Sequence, residues 1–228
     1  MRRRRLLSLG TAALGLALIG GVLASNWRQP KLPAQGTLET LADYGPVPDF
    51  RLTERGGSLV TLADLRGKVW LANFIYTECT ETCPLQSLQV QRLQEEFAGA
   101  RDLRLVSITV DPSHDTPEVL RRYADRYGAD PERWLFLTGP KPAIHALARD
   151  GFKLGVSDAG PAARSGVSGW PLGPGPAFAS HGSGGLILHS SRFVLVDRQA
   201  RIRAYHRTDD LDSLARLREN LRALLSGS

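Results

Sequence analysis

The sequence predicts an α/β domain with a mixed central sheet flanked by helices, and three observations carry that prediction. Apolar runs of strand length alternate with stretches whose leucines recur at helical spacing. One run, Val69-Trp-Leu-Ala-Asn-Phe-Ile-Tyr, is apolar almost throughout, as a strand buried on both faces must be. Near the end, two strand-like runs are separated by only a few residues, too few for a crossover, so they pair antiparallel.

The elements follow in order. Residues 50–62 alternate around Gly56-Gly57, which predicts a hairpin. After the strand over 69–76, Leu85, Leu88, Leu93 and Phe97 keep helical spacing behind Pro84 until Gly99 stops the helix. Leu103–Val110 is the next strand. Asp115-Thr-Pro-Glu supplies a cap and a proline at the first helical position, opening a helix that runs to about Gly128. Trp134–Thr138 is a short strand, and Lys141–Ala148 a short helix ended at Gly151. Order resumes with runs over 185–190, 191–197 and 201–206, the last two joined by a turn at Arg198-Gln-Ala. Asp209-Asp210 caps a last helix with Leu211, Leu214, Leu217, Leu221 and Leu224 as its core-facing stripe.

The front of the chain reads differently. Arg2 to Arg5 precede the uncharged run Leu6–Ala24, which as a helix reaches roughly 29 Å, close to the hydrocarbon thickness of a bilayer. Residues 1–26 are therefore a basic start and a transmembrane signal-anchor helix, and the positive charge keeps the arginines on the cytoplasmic side. A cleaved signal peptide competes with this reading, since Val22-Leu23-Ala24 is a passable cleavage site. Either reading places the domain on the extracytoplasmic, periplasmic side. Residues 27–45, polar and carrying Pro30 and Pro33, read as a linker, which leaves 46–226 as the domain.

The formal charge of +6 suggests nucleic acid only until it is located. Residues 1–28 hold five arginines and no acid, so the rest balances 24 basic against 23 acidic side chains, and a nucleic-acid partner is excluded. From 157 to 185 the chain has eight glycines and four prolines in 29 residues and no apolar period, which marks an exposed insertion.

Only two cysteines are present, Cys79 and Cys83. Four residues apart on a helical turn, their sulfurs share a face at a separation that can close a disulfide or hold one soft metal ion. A structural disulfide closing so short a loop removes little chain entropy, so chemistry is the better account of the pair. The start of a helix acidifies thiols, whereas Glu78 and Glu81 oppose this, and the net direction stays open.

Taken together, Gly67-Lys68, Phe74-x-Tyr-Thr-x-Cys79-x-x-x-Cys83-Pro84, Val110-Asp-Pro-x-x-Asp-Thr-Pro117, Leu137-Thr-Gly139 and His189-Ser190 ahead of Phe193-Val-Leu-Val-Asp197 resemble the Sco/SenC family of membrane-anchored copper proteins. The resemblance covers roughly residues 45–225. It implies a thioredoxin-like fold, with copper, as Cu(I) or Cu(II), held by Cys79, Cys83 and His189. It also implies that Cys79 and Cys83 form a redox pair. The implied role is assembly of a cytochrome c oxidase, by delivery of copper or reducing equivalents to the binuclear centre of its copper-bearing subunit. A copper donor or a thiol reductant protein is a further implied partner. Thr80 departs from the proline that many members carry after the first cysteine, and the insertion before His189 leaves that residue's surroundings open.

Two thiolates and an imidazole can hold copper in both oxidation states. Met1 is the only methionine, so the domain offers no thioether. Among the other histidines, His114 reads as solvated, His145 as a partly buried spectator, His181 as an auxiliary ligand within the insertion, and His206 as facing solvent. Asp111 and Asp115 resemble family residues near the copper face, although loop and helix capping also accounts for them, and Tyr76 and Pro84 shape the turn. The metallochaperone reading implies no enzyme. The alternatives are an extracytoplasmic thiol-disulfide oxidoreductase of thioredoxin or peroxidase type and a tethered interaction domain with an inert disulfide. Against the oxidoreductase, three residues separate the cysteines and no proline stands in Leu188-His-Ser-Ser-Arg-Phe.

Overall fold

A seven-stranded sheet forms the centre of the domain, its strands lying side by side in the order Leu59–Thr61, Arg51–Glu54, Trp134–Thr138, Leu103–Thr109, Val69–Ile75, Arg192–Val196 and Ile202–Arg207. The computed structural model describes residues 37–80, 82–154 and 191–227. The expected membrane segment, the insertion, the run over 185–190, His181 and His189 lie outside the described residues, and no helix among the described residues is long and apolar enough to cross a membrane.

The hairpin is β1 (Arg51–Glu54) and β2 (Leu59–Thr61), and a short α1 (Leu62–Leu65) follows it directly. The sheet's centre is β3 (Val69–Ile75), buried at every position as its apolar run requires. It pairs in parallel with β4 (Leu103–Thr109), which pairs in parallel with β5 (Trp134–Thr138). On its other side β3 meets β6 (Arg192–Val196) antiparallel, and β6 turns back into β7 (Ile202–Arg207). The short run at the end of the chain therefore closes one edge, and the hairpin closes the other.

Helices cover both faces. α2 (Thr82–Glu96), α3 (Pro117–Arg126) and α5 (Leu211–Ser226) bury Val90, Leu93, Leu120, Tyr123, Leu214, Leu217 and Leu221 against Leu71, Ile75, Phe136 and Phe193. Each such side chain, taken wholly out of water, stabilises the fold by roughly 1.5–3 kcal/mol. On the opposite face α4 (Lys141–Ala146) runs into a π-helical turn over Leu147–Gly151, and Ile144, Leu147 and Phe152 pack on Trp70, Phe74 and Val194. The ring of Phe152 meets Trp70 and Phe74 edge to face, at centroid distances of 5.9 and 5.4 Å.

Three expectations need correction. Residues 42–45, the end of the expected 27–45 linker, run along β7: the N–H groups of Ala42 and Tyr44 donate to the carbonyls of Arg203 and Ile202, each at 2.9 Å. A polar stretch without apolar period is thus held by backbone pairing, which composition does not reveal. The inward face of α2 is also rotated from the leucine stripe. Leu85 and Leu88 are exposed, and Cys83, Gln86, Ser87, Val90 and Leu93 point inward. Lastly, α3 is capped by Thr116, whose hydroxyl accepts from Val119 N at 3.4 Å, while Asp115 points elsewhere.

Candidate metal centre

The loop after β3 delivers Cys79, and the first turn of α2 delivers Cys83. The N–H of Cys79 donates to the carbonyl of Tyr76 at 3.2 Å, closing a turn immediately before the helix. Pro84 is the third residue of α2, where the N–H it lacks would have no partner in the helix. Across the junction the N–H of Cys83 donates to Sγ of Cys79 at 3.4 Å, so the first sulfur sits against the start of the helix. Both residues are buried, and no disulfide joins them.

The Cys83 thiol is pushed above its ordinary pKa, first by the adjoining Cys79 side chain and then by burial, with the Tyr76 backbone pulling the other way. For Cys83 the direction that the sequence left open is therefore upward. Glu78, next to Cys79 in the chain, pairs with His114 at 3.6 Å, both well exposed, so this contact contributes little.

A buried polar chain runs from α2, which carries Cys83, into the sheet. Trp134 Nε1 donates to Ser107 Oγ at 2.9 Å, Ser107 Oγ donates to Asn73 Oδ1 at 2.8 Å, and Asn73 Nδ2 donates to Gln86 Oε1 at 3.3 Å. Ser87 and Tyr123 share a hydrogen bond of 2.8 Å beside it. These contacts tie α2 to β3, β4, β5 and α3. Sequence reasoning missed all of them, although Asn73, a lone polar residue in an apolar strand, is the signal that a buried partner must exist.

Asp115 is fully buried. Burial pushes its carboxyl up in pKa, against hydrogen bonds from Thr109 and Thr77 that pull it down. Asp111 is half-buried on the same loop, and its carbonyl accepts from the N–H groups of His114 and Asp115. His145 is partly buried, as expected. His206 is a correction: it is fully buried on β7, its Nε2 3.2 Å from Asn220 Nδ2, because β7 turns this position toward α5. Among the described residues no three His, Cys, Asp or Glu side chains gather to hold a metal, so the pair would need a ligand from elsewhere. A cavity of about 300 Å³ opens beside the first turn of α2, lined by Thr82, Leu85, Ser191, Thr208 and Asp209.

A mixed sheet with two cysteines at the β3–α2 junction is the arrangement of a known group, and the SCO1/SenC family model matches residues 39–226. The chain belongs to the SCO1/SenC family. A relative from Bacillus subtilis (strain 168), named SCO1 protein homolog, is 36% identical over 109 residues, which is 47% of this chain and 56% of that protein. The chain thus matches little more than half of that relative's length. The solved structure of BsSco, a member of the Sco family of cytochrome c oxidase assembly proteins with an identified disulfide switch, superposes with a TM-score of 0.61 at 25% identity, covering 82% of this chain and 97% of that one. Bradyrhizobium japonicum ScoI, solved with copper bound, shares the fold with a TM-score of 0.54 at 23% identity, covering 77% and 99%.

Proposed function

We propose that this chain is a copper-binding, redox-sensitive assembly factor that delivers copper or reducing equivalents to the binuclear copper centre of a cytochrome c oxidase. Cys79, Cys83 and His189 are its ligands, and the domain is anchored on the extracytoplasmic side of a membrane. The observation that carries the reading is the pair of buried, unlinked cysteines in contact at the start of α2, within a SCO1/SenC chain. Two thiolates are soft donors suited to Cu(I), and an imidazole extends the site to Cu(II). His189 lies outside the described residues. Support for it comes from Ser191, two positions further on, which lines the cavity beside Thr82 in the first turn of α2. Copper needs both sulfurs reduced and deprotonated, so a Cys79–Cys83 disulfide turns binding off and couples loading to redox state.

The test is an anaerobic copper titration of the reduced full chain, purified in detergent. One tightly held ion is expected, with a sulfur-to-copper charge-transfer band in the Cu(II) form, and Cys83→Ser and His189→Ala should each lose tight binding. Insulin reduction should stay near background. Robust turnover there, with no copper bound, would transfer the assignment to a thiol-disulfide oxidoreductase.

A further inference from the structure

The carboxyl of Asp115 takes no part in the chemistry proposed above, yet three donors converge on it. Oδ2 accepts the N–H of Thr77 at 3.1 Å and the hydroxyl of Thr109 at 2.5 Å, and Oδ1 accepts the hydroxyl of Thr77 at 2.5 Å. A buried carboxyl is costly unless it is fully hydrogen-bonded, so its role is read from what it holds. Thr77 stands two residues before Cys79, and Thr109 is the last residue of β4. Asp115 is itself fixed in its loop, its N–H donating to the carbonyl of Asp111 at 2.9 Å. One side chain therefore joins the cysteine loop, the end of β4 and the loop that follows it.

The geometry points to Asp115 as a positioning residue that acts through Thr77, presetting the turn from Tyr76 to Cys79 so that the Cys79 sulfur rests against the first turn of α2. Held by its N–H and its hydroxyl together, Thr77 can change neither its backbone nor its χ1 angle without losing a bond to the carboxylate. Cys83 is fixed independently, by α2 and the Asn73–Gln86 contact. The two sulfurs are thus presented to each other by separate braces, and loosening either lowers the effective concentration of one thiol at the other. This inference rests on the reading that Cys79 and Cys83 are the working pair.

The test needs no metal. The full chain in detergent, with a chelator present, is equilibrated with mixtures of reduced and oxidised glutathione. Oxidation forms one S–S bond between Cys79 and Cys83 and breaks that of glutathione disulfide. Two electrons pass to glutathione, and the two thiol protons end on the two glutathione thiols released. Thr77→Val keeps the backbone bond and the side-chain shape but removes a donor, and it should lower the equilibrium constant about tenfold, a shift of about 30 mV for a two-electron couple. Thr109→Val should move it the same way, and Thr77→Ser should restore it. Ile202→Val, which trims a buried side chain on β7, should leave it within about twofold of the wild-type value. An unchanged constant in both valine variants at 77 and 109, or an equal shift in Ile202→Val, overturns the inference. A wild-type chain that binds no copper, combined with the expected shifts, would remove the copper reading and leave the brace standing.

Discussion

Asn73 on β3 donates from Nδ2 to Oε1 of Gln86 on α2 across 3.3 Å, with both side chains buried and Gln86 three residues along the helix from Cys83. Asn73 also accepts from Ser107, which accepts from the Trp134 indole, so the contact is one end of a chain that reaches β5. Gln86→Leu leaves the Asn73 amide buried without that acceptor and should cost about 1–3 kcal/mol. Urea unfolding monitored by tryptophan fluorescence measures it. A cost below about 0.5 kcal/mol would mean that the leucine repacks freely and that the chain does not hold α2 in place.

This polar chain also shows where the sequence is legible. The near-continuous apolar run over 69–76 placed β3, because a strand buried on both faces admits little else, and the shorter apolar-rich runs over 103–110 and 134–138 placed β4 and β5. Asp210 caps α5 as read, accepting from Asp212 N and Ser213 N. Apolar periodicity assigns Leu85 and Leu88 to the inward face of α2 along with Leu93 and Phe97, whereas Gln86 and Ser87 go inward in their place to satisfy Asn73 and Tyr123. His206 is hidden for the same kind of reason: burial at a strand's end depends on α5, far along the chain. At the site, the spacing of Cys79 and Cys83 identifies the pair, but Thr77 looks ordinary until the fold brings it to Asp115, 38 residues away.

Gly151 ends the π-helical turn, and a Cβ there would lie 2.9 Å from both Cδ and Cγ of Pro48 and 3.2 Å from Leu147 Cδ1. A proline ring cannot rotate aside. Gly151→Ala should therefore destabilise the domain by about 1–3 kcal/mol through overpacking, read as a lower urea midpoint. An unchanged midpoint would show that the 46–49 segment shifts without cost.

Burial pushes His206 down in pKa to about 4, against the Glu39 carboxylate, which raises it; the Arg216 guanidinium also lowers it. Folded, the ring stays neutral down to that value, whereas in the unfolded chain it gains a proton near the ordinary 6.5. Its contribution is complete above pH 6.5 and is lost as pH falls toward 4. From these values, stability should drop by about 2 kcal/mol between pH 7.5 and pH 5 through this residue alone. Denaturant unfolding at the two pH values should show the drop in the wild type and little of it in His206→Gln. Equal drops in both proteins would place the titration elsewhere.

Glu39 joins the start of the folded body to α5. Its carboxylate is bound by Arg216 Nε at 2.6 Å, and its carbonyl accepts from Asn220 Nδ2 at 2.7 Å. Burial raises the pKa of the Glu39 carboxyl, but the Ser213 hydroxyl and Arg216 outweigh it, and the net direction is down. Arg216→Ala strands a nearly buried carboxylate, whereas the arginine itself is half exposed, so the expected cost is moderate, about 1–2 kcal/mol. The loss should be local, because Glu39 anchors the strip that ends on β7. Hydrogen exchange is the discriminating measurement: the amides of Ala42 and Tyr44, which donate to Arg203 and Ile202, should exchange faster in Arg216→Ala, while amides of β3 keep their wild-type rates. Uniform acceleration across the sheet would mean that the ion pair supports the whole domain, and unchanged rates at Ala42 and Tyr44 would mean that backbone pairing alone holds the strip.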